Sequence, residues 1–111
     1  MAWTPLTKGA PMSMTVLLEV EFQNDAPADA VEAAIQQTLA QTASFHGLES
    51  LEVLVDDADP NRMVVVESWT TAADHDTYVA WRATPEGAPA IGPHLAAAPV
   101  TRTFGRTIPL G

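Results

Sequence analysis

The chain of 111 residues contains no cysteine. That single absence removes disulfides, thiolate metal sites, iron–sulfur ligation and a cysteine nucleophile. Basic residues are scarce, 5 against 14 acidic ones, for a formal charge of −9. The resulting field repels phosphate backbones and anionic membrane surfaces, so neither nucleic acid nor a membrane is an expected partner. No apolar run is long enough for a signal peptide or a membrane span. A cytoplasmic location is expected. Residues 1–13, with Lys8 as their one lysine, read as an N-terminal arm or upstream extension, with Met12 and Met14 as candidate starts, and the domain is assigned to 14–111. No strand is followed by a phosphate-cradling glycine loop or a dinucleotide fingerprint. Ser44, Ser50 and Ser68 lack a nucleophile-elbow context. His46, His75 and His94 include no pair at i,i+4 spacing, so no metal site is assigned.

What is present follows a simple plan. Val16, Leu18, Val20 and Phe22 alternate with Leu17, Glu19 and Glu21, as a half-buried strand requires. Pro27 stands where a helix can begin, and Val31, Ile35 and Leu39 recur every fourth residue toward an end near Ser44. Leu48 to Val55 alternates again. Asp56 to Arg62 is a turn by composition, leading into Val64 to Trp69 as the second arm of a hairpin. A short helical stretch is expected to restart at Thr84-Pro85-Glu86-Gly87, and a last strand to span Val100 to Ile108. The order β-α-β-β-α-β predicts an α+β, ferredoxin-like split-βαβ fold, with an antiparallel four-stranded sheet and both helices on one face.

The most informative stretch is Met63 to Tyr78. A β-branched strand ends in Glu-x-Trp and passes within two residues into a helix, with Thr70 or Thr71 as its cap and Asp74 in a capping-box-like place. At helical spacing His75, Tyr78, Val79 and Arg82 form one stripe with three polar tips, where a purely structural helix would carry leucine. Each residue also has a plain reading: Trp69 as a core aromatic, His75 as a partly buried histidine with a partner, Tyr78 and Arg82 with their tips in water. Strand three is apolar at Met63 and Val65 and also at Val64 and Val66, so both sheet faces need cover while two helices supply one. A second copy of the sheet, giving a homodimer with a shared barrel, is the simplest partner.

These segments carry a resemblance. Phe45-His46-Gly47-Leu48-Glu49, the Asp56-Asp57-Ala58-Asp59-Pro60 turn, Val65-Val66-Glu67-Ser68-Trp69 and Ala72-Ala73-Asp74-His75 together resemble the antibiotic biosynthesis monooxygenase (ABM) domain family over about Met14 to Ile108. The resemblance implies a dimeric α+β barrel with a pocket in each subunit. It also implies a monooxygenase that needs no metal or flavin cofactor and oxidises a phenol, quinol or anthrone with O2. In that setting Trp69 would donate its indole N–H to a substrate oxygen and His75 would hold or remove the phenolic proton. Tyr78 would orient the ring, and Arg82 would stabilise an oxyanion. Where polyketide-oxidising members carry an asparagine on the Trp-bearing strand, this chain has valine, Val65, and His75 stands where they carry a tyrosine. A haem-degrading activity fits less well, because strand one has no asparagine and the residue ten beyond Trp69 is Val79. The alternative from another class is a non-catalytic dimer that binds a small hydrophobic molecule or serves as a scaffold.

Overall fold

A computed structural model describes residues 13–111; the expected arm therefore lies, as far as residue 12, outside the described residues. The elements run β1 (Met14–Glu21), α1 (Ala28–Ala43), β2 (Leu48–Val55), β3 (Arg62–Trp69), α2 (Ala72–Arg82), a single 3-10 turn at Gly92–His94 and β4 (Val100–Phe104). The four strands form one antiparallel sheet in the order β2-β3-β1-β4. This is the ferredoxin-like order the sequence predicts, and no helix among the described residues is long and apolar enough to cross a membrane.

The alternation in β1 buries Met14, Val16, Val20 and Phe22, and the same face of β3 buries Val65, Glu67 and Trp69. The register sets Val16 against Glu67 and Met14 against Trp69. Two apolar clusters result. One joins Val20 and Phe22 to Val31 and Ala34 of α1 and to Ile91, and the other joins Met14, Val16 and Trp69 to Tyr78 of α2. α1 buries Val31, Ala34, Thr38 and Thr42, so its inward stripe runs to one side of the predicted Val31-Ile35-Leu39 line. Small side chains at the contact allow the helix to lie close to the sheet, with Ile35 and Leu39 flanking at half-burial.

α2 starts at Thr71, whose side-chain oxygen accepts the Asp74 amide at 3.1 Å, as the capping pattern predicts. Gly47, at φ +90°, makes the elbow after α1, where any Cβ would run into the Asp74 side chain. Its carbonyl accepts the Thr70 amide at 2.7 Å, tying the end of one helix to the start of the other.

Two expectations are corrected. Thr84 to Gly87 is a turn rather than a helix. Thr84 Oγ1 donates to the Trp81 carbonyl at 2.6 Å and accepts the Gly87 amide at 3.1 Å, which stops α2 without restarting it. β4 ends at Phe104 instead of Ile108, because Phe104 pairs with Thr15 and β1 itself begins at Met14, leaving no strand to continue the ladder.

The opposite face of the sheet carries Leu17, Val64, Val66, Leu54, Val100 and Phe104, placed together by their cross-strand register. Leu54 and Val100 remain more than half exposed. Among the described residues no helix covers this face.

Candidate active site

The helical stripe of α2 meets the inward face of β1 and β3 at one place. His75, Tyr78, Val79 and Arg82, at the predicted spacing, all border a cavity of 290 Å³. Val16 and Leu18 of β1, Glu67 of β3 and Thr38 of α1 complete the inner wall. The outer wall comes from the segment between α2 and β4 through Pro89, Ile91, Leu95 and Pro99. That segment is pinned to the end of β1 by the Ala96 amide on the Glu21 carbonyl at 2.8 Å and the Gln23 amide on the His94 carbonyl at 2.9 Å. Two other hollows, of 300 and 520 Å³, lie beside Glu19, Glu21 and Arg62 and beside the start of α1. Neither is bordered by a histidine.

Arg82 is bound on every side. Its Nε donates to the Tyr78 hydroxyl at 2.7 Å, Nη1 to Gln41 Oε1 at 2.8 Å and the Gly87 carbonyl at 3.3 Å, and Nη2 to the Thr38 carbonyl at 2.8 Å and Thr42 Oγ1 at 3.1 Å. A guanidinium has five N–H donors, and all five are engaged. Thr42 gives its own proton to the Thr38 carbonyl at 3.1 Å, so at the 2.8 Å contact between the two hydroxyls Tyr78 is the donor and Thr42 the acceptor. Tyr78 thus presents its ring to the cavity while its hydroxyl proton is held by α1. The orientation role expected of Tyr78 has a ring face behind it; the oxyanion role expected of Arg82 finds no free donor.

Trp69 is fully buried, and its Nε1–H donates to Glu67 Oε1 at 2.9 Å. It packs against Tyr78 and His75 with ring centroids 5.0 and 5.5 Å away, behind the wall of the cavity and not on it. The N–H expected to reach a ligand is therefore given to a carboxylate. Val65 likewise borders the narrow gap between Val20, Phe22, Ile35 and Ile91 instead of the cavity.

His75 is 6% exposed, yet its ring makes no hydrogen bond among the described residues. Only the Thr38 hydroxyl among them is both sealed from solvent and unpartnered, so the imidazole nitrogens are not sealed, on a residue that borders the cavity. Burial pushes the His75 pKa down, with the nearby Asp76 opposing, which favours the neutral ring. Glu67, 3% exposed, is the residue that sequence reasoning passed over. Burial pushes its pKa up, against the Trp69 hydrogen bond and the charge of Arg82, which both pull it down. A signal for it existed: on the inward face of β3, in the alternation Met63-Val65-Glu67-Trp69, it is the one charged side chain. Among the described residues no group of three or more histidines and carboxylates is placed to hold a metal.

The two shifts bear on stability with opposite signs. The unfolded chain protonates His75 near its ordinary value of about 6.5, above the folded value, so folding loses stability as pH falls through that window. Glu67 keeps its proton to higher pH when folded, so its contribution is lost as pH rises above the ordinary carboxylate range. Thermal melts across pH 4.5 to 8 should show His75→Gln losing less stability than the wild type on acidification. Glu67→Gln should gain on the wild type as pH rises. A His75→Gln curve parallel to the wild type would show that the ring is not desolvated.

A split-βαβ sheet carries, beneath its second helix, a mostly apolar cavity bordered by an imidazole without a partner among the described residues and by a buried carboxylate, a combination of the kind that small-molecule sites use. A family model described as antibiotic biosynthesis monooxygenase matches residues 13–88, and the chain belongs to that family. No curated protein matches it. Among solved structures the fold is similar to a conserved protein from Methanosarcina mazei Go1, with a TM-score of 0.73 at 11% identity over 86% of this chain and 94% of that one. It is also similar to SnoaB, a cofactor-independent oxygenase from Streptomyces nogalater, with a TM-score of 0.72 at 17% identity over 89% of this chain and 97% of that one. Rv0793 from Mycobacterium tuberculosis gives a TM-score of 0.69 at 15% identity over 89% of this chain and 99% of that one.

Proposed function

We propose that the protein is a monooxygenase that works without a bound cofactor, oxidising a phenol, quinol or anthrone with O2. The observation that carries this reading is the unpartnered, neutral imidazole of His75 at the wall of a mostly apolar cavity. Dioxygen is a triplet and accepts electrons one at a time, which an ionised hydroxyarene can supply. The reaction balances with no further reductant. An anthrone methylene plus O2 gives the quinone carbonyl and one water, the substrate losing four electrons and O2 gaining four. His75 accepts the substrate proton, the electron pair staying on the substrate, and the apolar walls keep bulk water from the anion. SnoaB, which shares the fold, is a cofactor-independent oxygenase, and that is consistent with this chemistry. Tyr78 and Arg82 act here as wall and brace: the Tyr78 ring faces the ligand and Arg82 holds that ring to α1. Trp69 acts through Glu67, and Val65 through packing behind the wall.

The test is O2 uptake by metal-stripped protein with anthrones and dihydroxynaphthalenes. Uptake should depend on protein and fall about 10²–10⁴-fold in His75→Ala, the usual worth of a positioned general base. Ligand binding without accelerated uptake would favour the non-catalytic binding protein, a reading that rests on Trp69 and Arg82 having no free donor. The open sheet face supports a second copy of the chain as partner, two sheets meeting through Leu17, Val64, Val66 and Leu54.

A further inference from the structure

Glu67 has two carboxylate oxygens, and the structure accounts for one of them. Oε1 accepts the Trp69 indole N–H at 2.9 Å. Oε2 has no partner among the described residues and is not among their sealed atoms; since Glu67 borders the cavity and is itself 97% buried by its 3% exposure, Oε2 opens into it. Although the His75 ring and the Thr38 hydroxyl border the same cavity, no donor among the described residues lies within hydrogen-bond distance of that oxygen. Its cross-strand neighbours, Val16 and Leu51, are apolar. From α2 it faces His75, Tyr78 and Arg82, and from α1 Thr38. Tyr78 and Arg82 have no free donor, and the one charge of opposite sign acts on it from a distance.

We infer that Glu67 is a specificity-determining residue whose free oxygen accepts a hydrogen bond from a ligand hydroxyl, so that the cavity takes neutral hydroxyarenes and rejects arenes bearing an anionic group. The inference rests on the cavity being the ligand site, and extends that reading from one wall group, His75, to two. His75 takes the proton that is removed. Glu67 holds a second hydroxyl in place without taking its proton. A carboxylate substituent would meet Glu67 with like charge and find the guanidinium of Arg82 already spent. A ligand without an O–H would leave Oε2 buried and unpaired. The volume of 290 Å³ sits at the small end of the range of about 300–1,000 Å³ for small-molecule sites, which suits two or three fused rings.

The substitution Glu67→Gln makes a sharp test because Trp69 fixes which way the amide turns. The indole N–H needs an acceptor, so the amide oxygen stays on Trp69 and the NH2 points into the cavity. A donor then stands where an acceptor stood. Binding of 2-naphthol, 2-methoxynaphthalene and 2-naphthoate is measured by calorimetry, with no turnover required. The wild type should prefer naphthol over the methyl ether by about tenfold or more, as expected for a hydrogen bond to a charged acceptor, and should bind naphthoate weakest. Glu67→Gln should lose the naphthol advantage and bind naphthoate at least about tenfold better than the wild type does. A second variant leaves Glu67 in place: in His75→Phe the naphthol preference should survive, since the other free acceptor on the wall is gone. Equal binding of the three probes by the wild type, no binding of any, an unchanged order in Glu67→Gln, or loss of preference in His75→Phe would each overturn the inference. A naphthol preference that follows Glu67, in a protein that never accelerates O2 uptake, would uphold it while removing the oxygenase reading.

Discussion

Arg82→Ala should cost the fold about 3 kcal/mol, by the usual worth of hydrogen bonds to a charged group and the penalty of stranding their buried partners. The substitution leaves the Tyr78 hydroxyl, Gln41 Oε1 and the Gly87 carbonyl each without a donor, and takes one donor from the Thr38 carbonyl, which keeps Thr42 Oγ1, and one from Thr42 Oγ1, which keeps the Tyr78 hydroxyl. It also removes the cation stacked at 5.1 Å on Tyr78 and 4.9 Å on Trp81, so packing is lost together with charge. Arg82→Lys keeps the charge but offers three donors from one point instead of five from a planar fork, and should recover no more than about half of the loss. Urea unfolding of the three proteins decides it. A loss below about 1 kcal/mol in Arg82→Ala would mean that water re-pairs the acceptors at little cost. The consequence for the cavity is direct, since the bracket joining α1 to α2 also sets the Tyr78 ring at its wall.

Val66→Lys should turn a dimer into monomers. Val66 lies mid-strand on the open face, between Leu17 on one side and Glu52 on the other. In a single protomer a lysine there can extend toward Glu52 and into water, so the monomer should keep its fold. In a dry interface between two such faces the ammonium would be buried twice, once from each copy. The dissociation constant should rise roughly a hundredfold or more, in line with an interface hot spot. Sedimentation velocity over a concentration series gives the answer. A wild type that sediments as a monomer at every concentration would remove the sheet-to-sheet partner altogether. A Val66→Lys protein that remains dimeric would move the contact to another surface.

How much of this was legible in the sequence depended on the kind of interaction involved. Period-two alternation marked β1, one face of which is buried, and β2, while the β-branched run Val64 to Val66 marked β3. The Thr71 cap was readable because capping is local, three residues from Thr71 to Asp74. The inward stripe of α1 was displaced because Ala34, Thr38 and Thr42 do not register as apolar, although their small size is what lets the helix approach. Trp69 and Arg82 stood out as residue types, yet their partners did not. Gln41 and Thr38 lie 41 and 44 residues from Arg82, and no local pattern announces that all five of its donors are taken. Glu67 was visible as part of Glu-x-Trp, and the clue to its role was its parity on the strand: two residues before a buried tryptophan, a glutamate must also point inward.

β4 is the thinnest part of the molecule, exposed at all five of its residues. Its two sides have different duties. Thr101, with the preceding Pro99, closes the cavity, while Val100 and Phe104 belong to the open face of the sheet. A second protomer pressed on that face would stiffen the strand whose Thr101 borders the cavity. Thermodynamic reciprocity then couples the two events. Whatever factor dimer formation adds to ligand affinity, ligand must return to the affinity of one protomer for the other. The occupancy of the cavity would therefore shift how tightly the pair holds together.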